Sequence, residues 1–146
     1  MPVTDDQGIA NVLNNVKTIA LVGASKKEHR ASYRVMRFLL DHGYQVVPIN
    51  PALQGTELIG QTVYTTLADI PFTVDMVDVF RDASHLQSIV EECISLNIKT
   101  VWTQLEVIDD QATEYAEKNG IRMVVGKCPA IELPRLSGLG LAERND

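Results

Sequence analysis

The chain has 146 residues, enough to bury one sizeable core, and its 45 % apolar and 22 % charged content is that of a globular domain. Nineteen Asp and Glu against thirteen Lys and Arg leave a formal net charge of −6, which argues against a nucleic-acid-binding face. No apolar run approaches a membrane span, and the polar N-terminus lacks a signal-peptide pattern. Cys93, Cys128 and three histidines form neither a disulfide framework nor a metal set, so the expectation is a single cytoplasmic domain over 1–146 without a metal.

In chain order, residues 5–15 read as a helix, with Thr4 or Asp5 as its cap and Ile9, Val12, Leu13 and Val16 at helical spacing. Residues 18–23 are a near-continuous apolar run of the kind buried on both faces of a parallel sheet. Residues 32–42 follow as a helix, with Ser32 as its cap and Gly43 ending it. Strand 45–49 stops at Asn50-Pro51. Residues 52–62 are turn-rich, Val63-Tyr64 is a short strand, and 66–70 is a brief helical turn. Strand 75–80, a helix capped by Ser84 and running to about Leu96, strand 99–104, helix 109–118 and strand 121–125 complete the alternation. A last helical turn falls at 131–136.

Strands alternating with helices imply right-handed crossovers. The predicted fold is α/β: a Rossmann-like, doubly wound, mostly parallel sheet of five to six strands in three α/β/α layers. Ligands of such sheets sit beyond the C-terminal strand ends. Gly23-Ala24-Ser25, Asn50-Pro51, Phe80-Arg81, Gln104 and Lys127-Cys128 all fall there. The first of these positions is the most telling. Between residues 26 and 37 stand five basic residues and one acid, Glu28, whereas the rest of the chain has eight basic against eighteen acidic. Cations gathered beside a small-residue turn at a helix start suit a phosphorylated ligand. Gly23 is expected to let that ligand approach the backbone, so that Gly23→Val blocks ligand entry while leaving the fold largely intact.

A dinucleotide fits this turn poorly. Gly-Ala-Ser lacks two glycines of the G-x-G-x-x-G fingerprint, and Asn50 stands where an acid would accept from a ribose 2′-hydroxyl. Coenzyme A, with a diphosphate and a ribose 3′-phosphate, fits better.

Six blocks in order carry a resemblance that covers about residues 8–136. They are Ala20–Ser25, Arg30–Met36, Val47–Pro51, Val77–Arg81, Val101–Gln104 and Lys127–Glu132. Together they resemble the stand-alone CoA-binding protein family, the YccU-like group, related to the CoA-binding domain of the succinyl-CoA synthetase alpha subunit. The resemblance implies that Gly23, Ala24 and Ser25 wrap the CoA phosphates, and that Lys27, Arg30 and Tyr33 lie along the nucleotide. It implies that Asn50 and Pro51 contact the adenosine side. Val79, Phe80 and Arg81 would border the adenine and phosphates, and Trp102 and Gln104 the far side of the pocket. The chain departs from the family pattern at Ala31, Glu106 and Gly126, where Pro, Gly and Asp are usual.

Each residue also has a plain structural reading. Trp102 and Tyr33 suit a core, Arg37 a solvated helix face, and Cys93 a packing stripe. Cys128, at the ligand rim, is a weak candidate for a thiol function. No catalytic set is evident, and 146 residues leave no room for the phosphohistidine and ATP-grasp domains of the synthetases. The expectation is therefore CoA or acyl-CoA binding without catalysis. The alternatives are a thiol acyl-transfer or redox enzyme using Cys128, an NAD(P)-binding protein, and an interaction module docking through 131–141.

Overall fold

A computed structural model of the chain describes residues 1–137. Helix α1 (Asp6–Asn15) leads into β1 (Thr18–Val22), α2 (Ala31–Asp41) and β2 (Gln45–Ile49). A small antiparallel hairpin, β3 (Glu57–Leu58) and β4 (Gln61–Thr62), precedes β5 (Met76–Val79). Helix α3 (Leu86–Ser95), β6 (Thr100–Thr103), α4 (Asp110–Lys118), β7 (Arg122–Val124) and α5 (Pro129–Arg135) follow.

The main sheet has five strands in the order β2-β1-β5-β6-β7, every pair parallel. After β1 the chain steps to one side for β2, then crosses back to the other for β5. The switch point therefore lies beside the C-terminal end of β1, where ligands bind in open α/β sheets.

Side chains alternate across the sheet and build two cores. Ile19, Leu21, Met76, Trp102 and Val124 face one way and pack with Ile9, Leu13, Met36, Leu39 and Leu136 from the α1, α2 and α5 side. Ala20, Val22, Val77, Val79, Val101 and Met123 face the other and meet Leu86, Ile89, Val90, Cys93, Ala112 and Ala116 of α3 and α4. This is the expected three-layer Rossmann-like arrangement.

Several local expectations change. Val63-Tyr64 is not a strand of its own. The excursion forms the β3–β4 hairpin, and Tyr64 makes only an isolated parallel bridge to Ile49. Ser32 is buried inside α2 rather than capping it, because Arg30 holds the N-cap position without a side-chain cap bond. Ser84 is not a cap either. Asp82 accepts the Ser84 amide and starts a 3-10 turn that runs into α3. Asp5, one of the two caps offered by the sequence, caps α1, while Asp109, expected as the first helical residue, instead caps α4. The last turn of helix is a full α5, tied to α1 by Arg135. Its guanidinium donates to both carboxylate oxygens of Asp6, at 3.2 and 2.8 Å, and to Glu132 at 2.7 Å.

One residue opposes the fold. Asp78 lies mid-strand in β5, in register with Leu21 and Trp102, fully buried, and neither carboxyl oxygen has a partner among the described residues. Burial pushes its carboxyl well above the usual carboxylate range. The folded chain thus keeps a proton that the unfolded chain releases above about pH 3.9, and stability falls as pH rises from there toward the folded value. Asp78→Asn does not titrate. It is expected to sit nearest the wild type at pH 3 and to gain on it as pH rises, measured by urea denaturation across pH.

Candidate functional site

The turn after β1 is held by the strand beside it. The amides of Gly23 and Ala24 both donate to the Ile49 carbonyl, at 3.1 and 3.2 Å. The Asn50 side-chain amide donates to the Ala24 carbonyl at 2.7 Å, while its Oδ1 accepts from the Ala52 amide at 2.8 Å. The turn is therefore clamped to the end of β2 on both its donor and its acceptor sides. Gly23 has φ +95°, and a Cβ there would stand 3.0 Å from the Phe80 carbonyl group and 3.1 Å from Arg81 Cγ.

These contacts revise the roles expected of the turn. The Gly23 and Ala24 amides are already bonded, so they do not point at an anion. The Ser25 and Lys26 amides carry no bond among the described residues and are the donors left. Ser25 Oγ accepts the Lys27 amide at 3.1 Å and shapes the loop that leads to α2. Gly23 is required by the chain itself, through its left-handed backbone and its contact with Phe80. The expectation that Gly23→Val leaves the fold largely intact is corrected accordingly.

Beside the turn runs a groove of about 590 Å³, within the usual range for small-molecule sites. Gly23 and Ala24 line it, with Asn50 and Pro51 from the end of β2, Thr65 to Leu67 from the following loop, Arg81 after β5, and one face of α3. Arg81 Nη2 lies 3.1 Å from His85 Nε2, which requires the imidazole nitrogen to accept and places its proton on Nδ1. A second cleft of about 450 Å³ lies on the other flank of Arg81, lined by Ala31, Phe80, Asp82 and Gln104 to Val107. The Gln104 side-chain amide oxygen is buried without a partner among the described residues.

The structure thus gathers Gly23, Ala24, Asn50, Pro51 and Arg81 at one groove, and Phe80, Arg81 and Gln104 at its neighbour. Other expected site residues lie elsewhere. Trp102 is fully buried and donates its indole N–H to the Lys127 carbonyl at 2.8 Å, so it is a core residue and lines neither cavity. Val79 is likewise fully buried, and its carbonyl accepts the Gln104 amide. Tyr33 packs against the core, and its hydroxyl accepts from Arg37. Lys27 and Arg30 are exposed on the loop beyond the turn, outside the groove lining.

Cys128 is 8 % exposed at the start of α5 and lines neither cavity. Cys93 is buried, which pushes its thiol up to about 12. Among the described residues no group of three or more His, Cys, Asp or Glu is placed to hold a metal ion, and no helix is long and apolar enough to cross a membrane.

The sequence reading missed His85, Thr65, Ser88 and Glu92. The spacing of His85, Ser88 and Glu92 was a usable signal, since three- and four-residue steps put them on one helix face.

A profile of the CoA binding domain family matches residues 17–134. The chain belongs to that family. It is 28 % identical over 120 residues to the Bacillus subtilis protein YneT, covering 82 % of this chain and 87 % of that protein. It is 29 % identical over 126 residues to the alpha subunit of ADP-forming acetate–CoA ligase I from Pyrococcus furiosus, covering 77 % of this chain but 27 % of that subunit. Among solved structures, a Pyrococcus horikoshii OT3 protein superposes with a TM-score of 0.88 at 36 % identity, covering 94 % of this chain and 97 % of that one. A Thermus thermophilus protein does so at 0.86 and 35 %, covering 91 % and 99 %.

Two substitutions test the clamp. Gly23→Ala is expected to lose about 1–3 kcal/mol of stability through the forced left-handed backbone. Asn50→Asp places an acceptor against the Ala24 carbonyl and is expected to lose a similar amount, about 1–3 kcal/mol. Both are read by urea denaturation without any ligand, and a wild-type midpoint in either would show that the turn does not need the clamp.

Proposed function

We propose that the groove beside Gly23 binds the nucleotide part of coenzyme A or an acyl-CoA. The observation that carries this reading is a clamped turn whose Ser25 and Lys26 amides remain unpaired, next to the Arg81 guanidinium at the switch point of a CoA-binding-domain fold. Oriented backbone amides at a turn form a concave site for phosphate oxygens. A guanidinium adds two parallel donors of matching shape.

In this reading the diphosphate sits over Ser25 and Lys26 and pairs with Arg81, while the adenosine lies in the groove walled by Ile49, Leu67 and Ile89. The thiol arm passes Arg81 toward the second cleft, where the Gln104 amide oxygen offers an acceptor for an amide N–H. Lys27 and Arg30, on the exposed loop, are the cations long enough to reach a ribose 3′-phosphate. The protein's role in this reading is to hold the ligand. The apolar and polar contacts of α5 do not favour the docking-module alternative, and residues 138–141 of its proposed segment lie outside the described residues.

Calorimetry with CoA, dephospho-CoA and NAD tests the assignment. CoA is expected to bind more tightly than NAD. Arg81→Gln is expected to weaken CoA by about 1–3 kcal/mol, the range for a charge-assisted bond. NAD binding in preference to CoA would overturn the ligand, and full affinity in Arg81→Gln would overturn the placement of the diphosphate. Dephospho-CoA is expected to bind less tightly than CoA, with a difference that shrinks in Lys27→Ala, Arg30→Ala and at high salt. Equal affinity for both forms would remove Lys27 and Arg30 from the site.

A further inference from the structure

The groove changes character along its length. His85, Ser88, Ile89 and Glu92 line it from one helix face. Glu92 lies seven positions after His85, about 10 Å along a helix axis. Near the turn the groove offers Arg81 and His85. At the far end it offers Glu92, a half-buried carboxyl that faces the Leu67 backbone amide and lies close enough to Asp69 to be repelled by it. Thr65, two residues before Leu67, lines the same groove, and its hydroxyl oxygen is buried without a partner among the described residues.

The groove lining thus includes the Glu92 carboxyl and the Thr65 hydroxyl oxygen, with buried aliphatic walls from Leu67 and Ile89. A phosphate is excluded there, because a carboxylate with a second acid nearby repels it. The chemistry that fits is a flat, uncharged group carrying a hydrogen-bond donor. We infer that the Glu92 end of the groove recognises the exocyclic amino group of a purine, so that the protein selects adenine over keto purines. This rests on the CoA reading above and adds a residue-level basis for choosing the base.

The amino group of adenine donates toward Glu92 and Thr65 Oγ1. Hypoxanthine has nearly the same shape but presents a carbonyl oxygen instead, which meets the carboxylate as acceptor against acceptor. A buried polar group left opposed in this way discriminates strongly between isosteres.

The test is calorimetry with CoA and with its hypoxanthine analogue, made by deaminating the adenine. Wild-type protein is expected to prefer CoA by about ten-fold or more, the effect of a hydrogen bond to a charged group. Glu92→Gln keeps the side-chain volume and adds an N–H that can donate to the keto oxygen. It is expected to weaken CoA, strengthen the analogue and bring the preference toward parity, with folding checked by thermal denaturation. Equal binding of the two compounds by wild type overturns the inference and leaves the CoA reading standing. An unchanged preference in folded Glu92→Gln does the same. Binding of neither compound overturns both.

Discussion

The clamp between the turn after β1 and the end of β2 is the constraint on which the site depends. One carbonyl, that of Ile49, accepts two successive amides, and the Asn50 side chain holds the carbonyl of Ala24 from the other side. The chain can make these bonds only if Gly23 adopts φ +95° and passes within contact distance of Phe80. Three strand ends are therefore locked together: β1 through Gly23, β2 through Ile49 and Asn50, and β5 through Phe80. The groove is the space left between them, and its shape is set before any ligand arrives, which lowers the ordering cost of binding.

This arrangement separates support from recognition. Gly23, Ala24 and Asn50 have hydrogen bonds or packing contacts within the protein, so their side chains and amides hold the frame. Among the described residues, the groups with unsatisfied capacity include Ser25 N, Lys26 N, Thr65 Oγ1 and Gln104 Oε1. Recognition falls to groups of that kind, because a ligand gains most where the free protein leaves a polar atom unpaired. Asp78 is the exception on the structural side. It is unpaired too, but it sits mid-sheet between Leu21 and Trp102 and lines neither cavity. Its burial lowers stability at neutral pH without contributing a contact to either cleft.

The legible part of the site was the part close together in sequence. Small residues after an apolar strand mark a turn that approaches something closely, and Gly23-Ala24 is such a turn. Asn50 and Arg81 follow strands directly and were placed at the rim by the parallel topology. Trp102 and Val79 fall outside both clefts for a related reason. Position along a strand says how near a residue is to the rim, but not whether its neighbours cover it. Trp102 is covered on the α1–α2–α5 side, and Val79 on the α3–α4 side. The acceptor end of the groove was missed because Thr65 and Glu92 come from a loop and a helix that meet only when α3 packs beside β5.

The amino-acid sequence by itself determined the alternation of strands and helices, the parallel sheet, the two-sided core and the turn at Gly23. These follow from local periodicity and from residues that only certain backbone shapes accept. Tertiary structure alone decided which polar groups are already paired. Whether an amide at the turn faces Ile49 or a ligand, and whether a rim residue is covered, depends on atoms far apart in the chain. Burial and hydrogen bonding are properties of the assembled layers, and no local pattern encodes them.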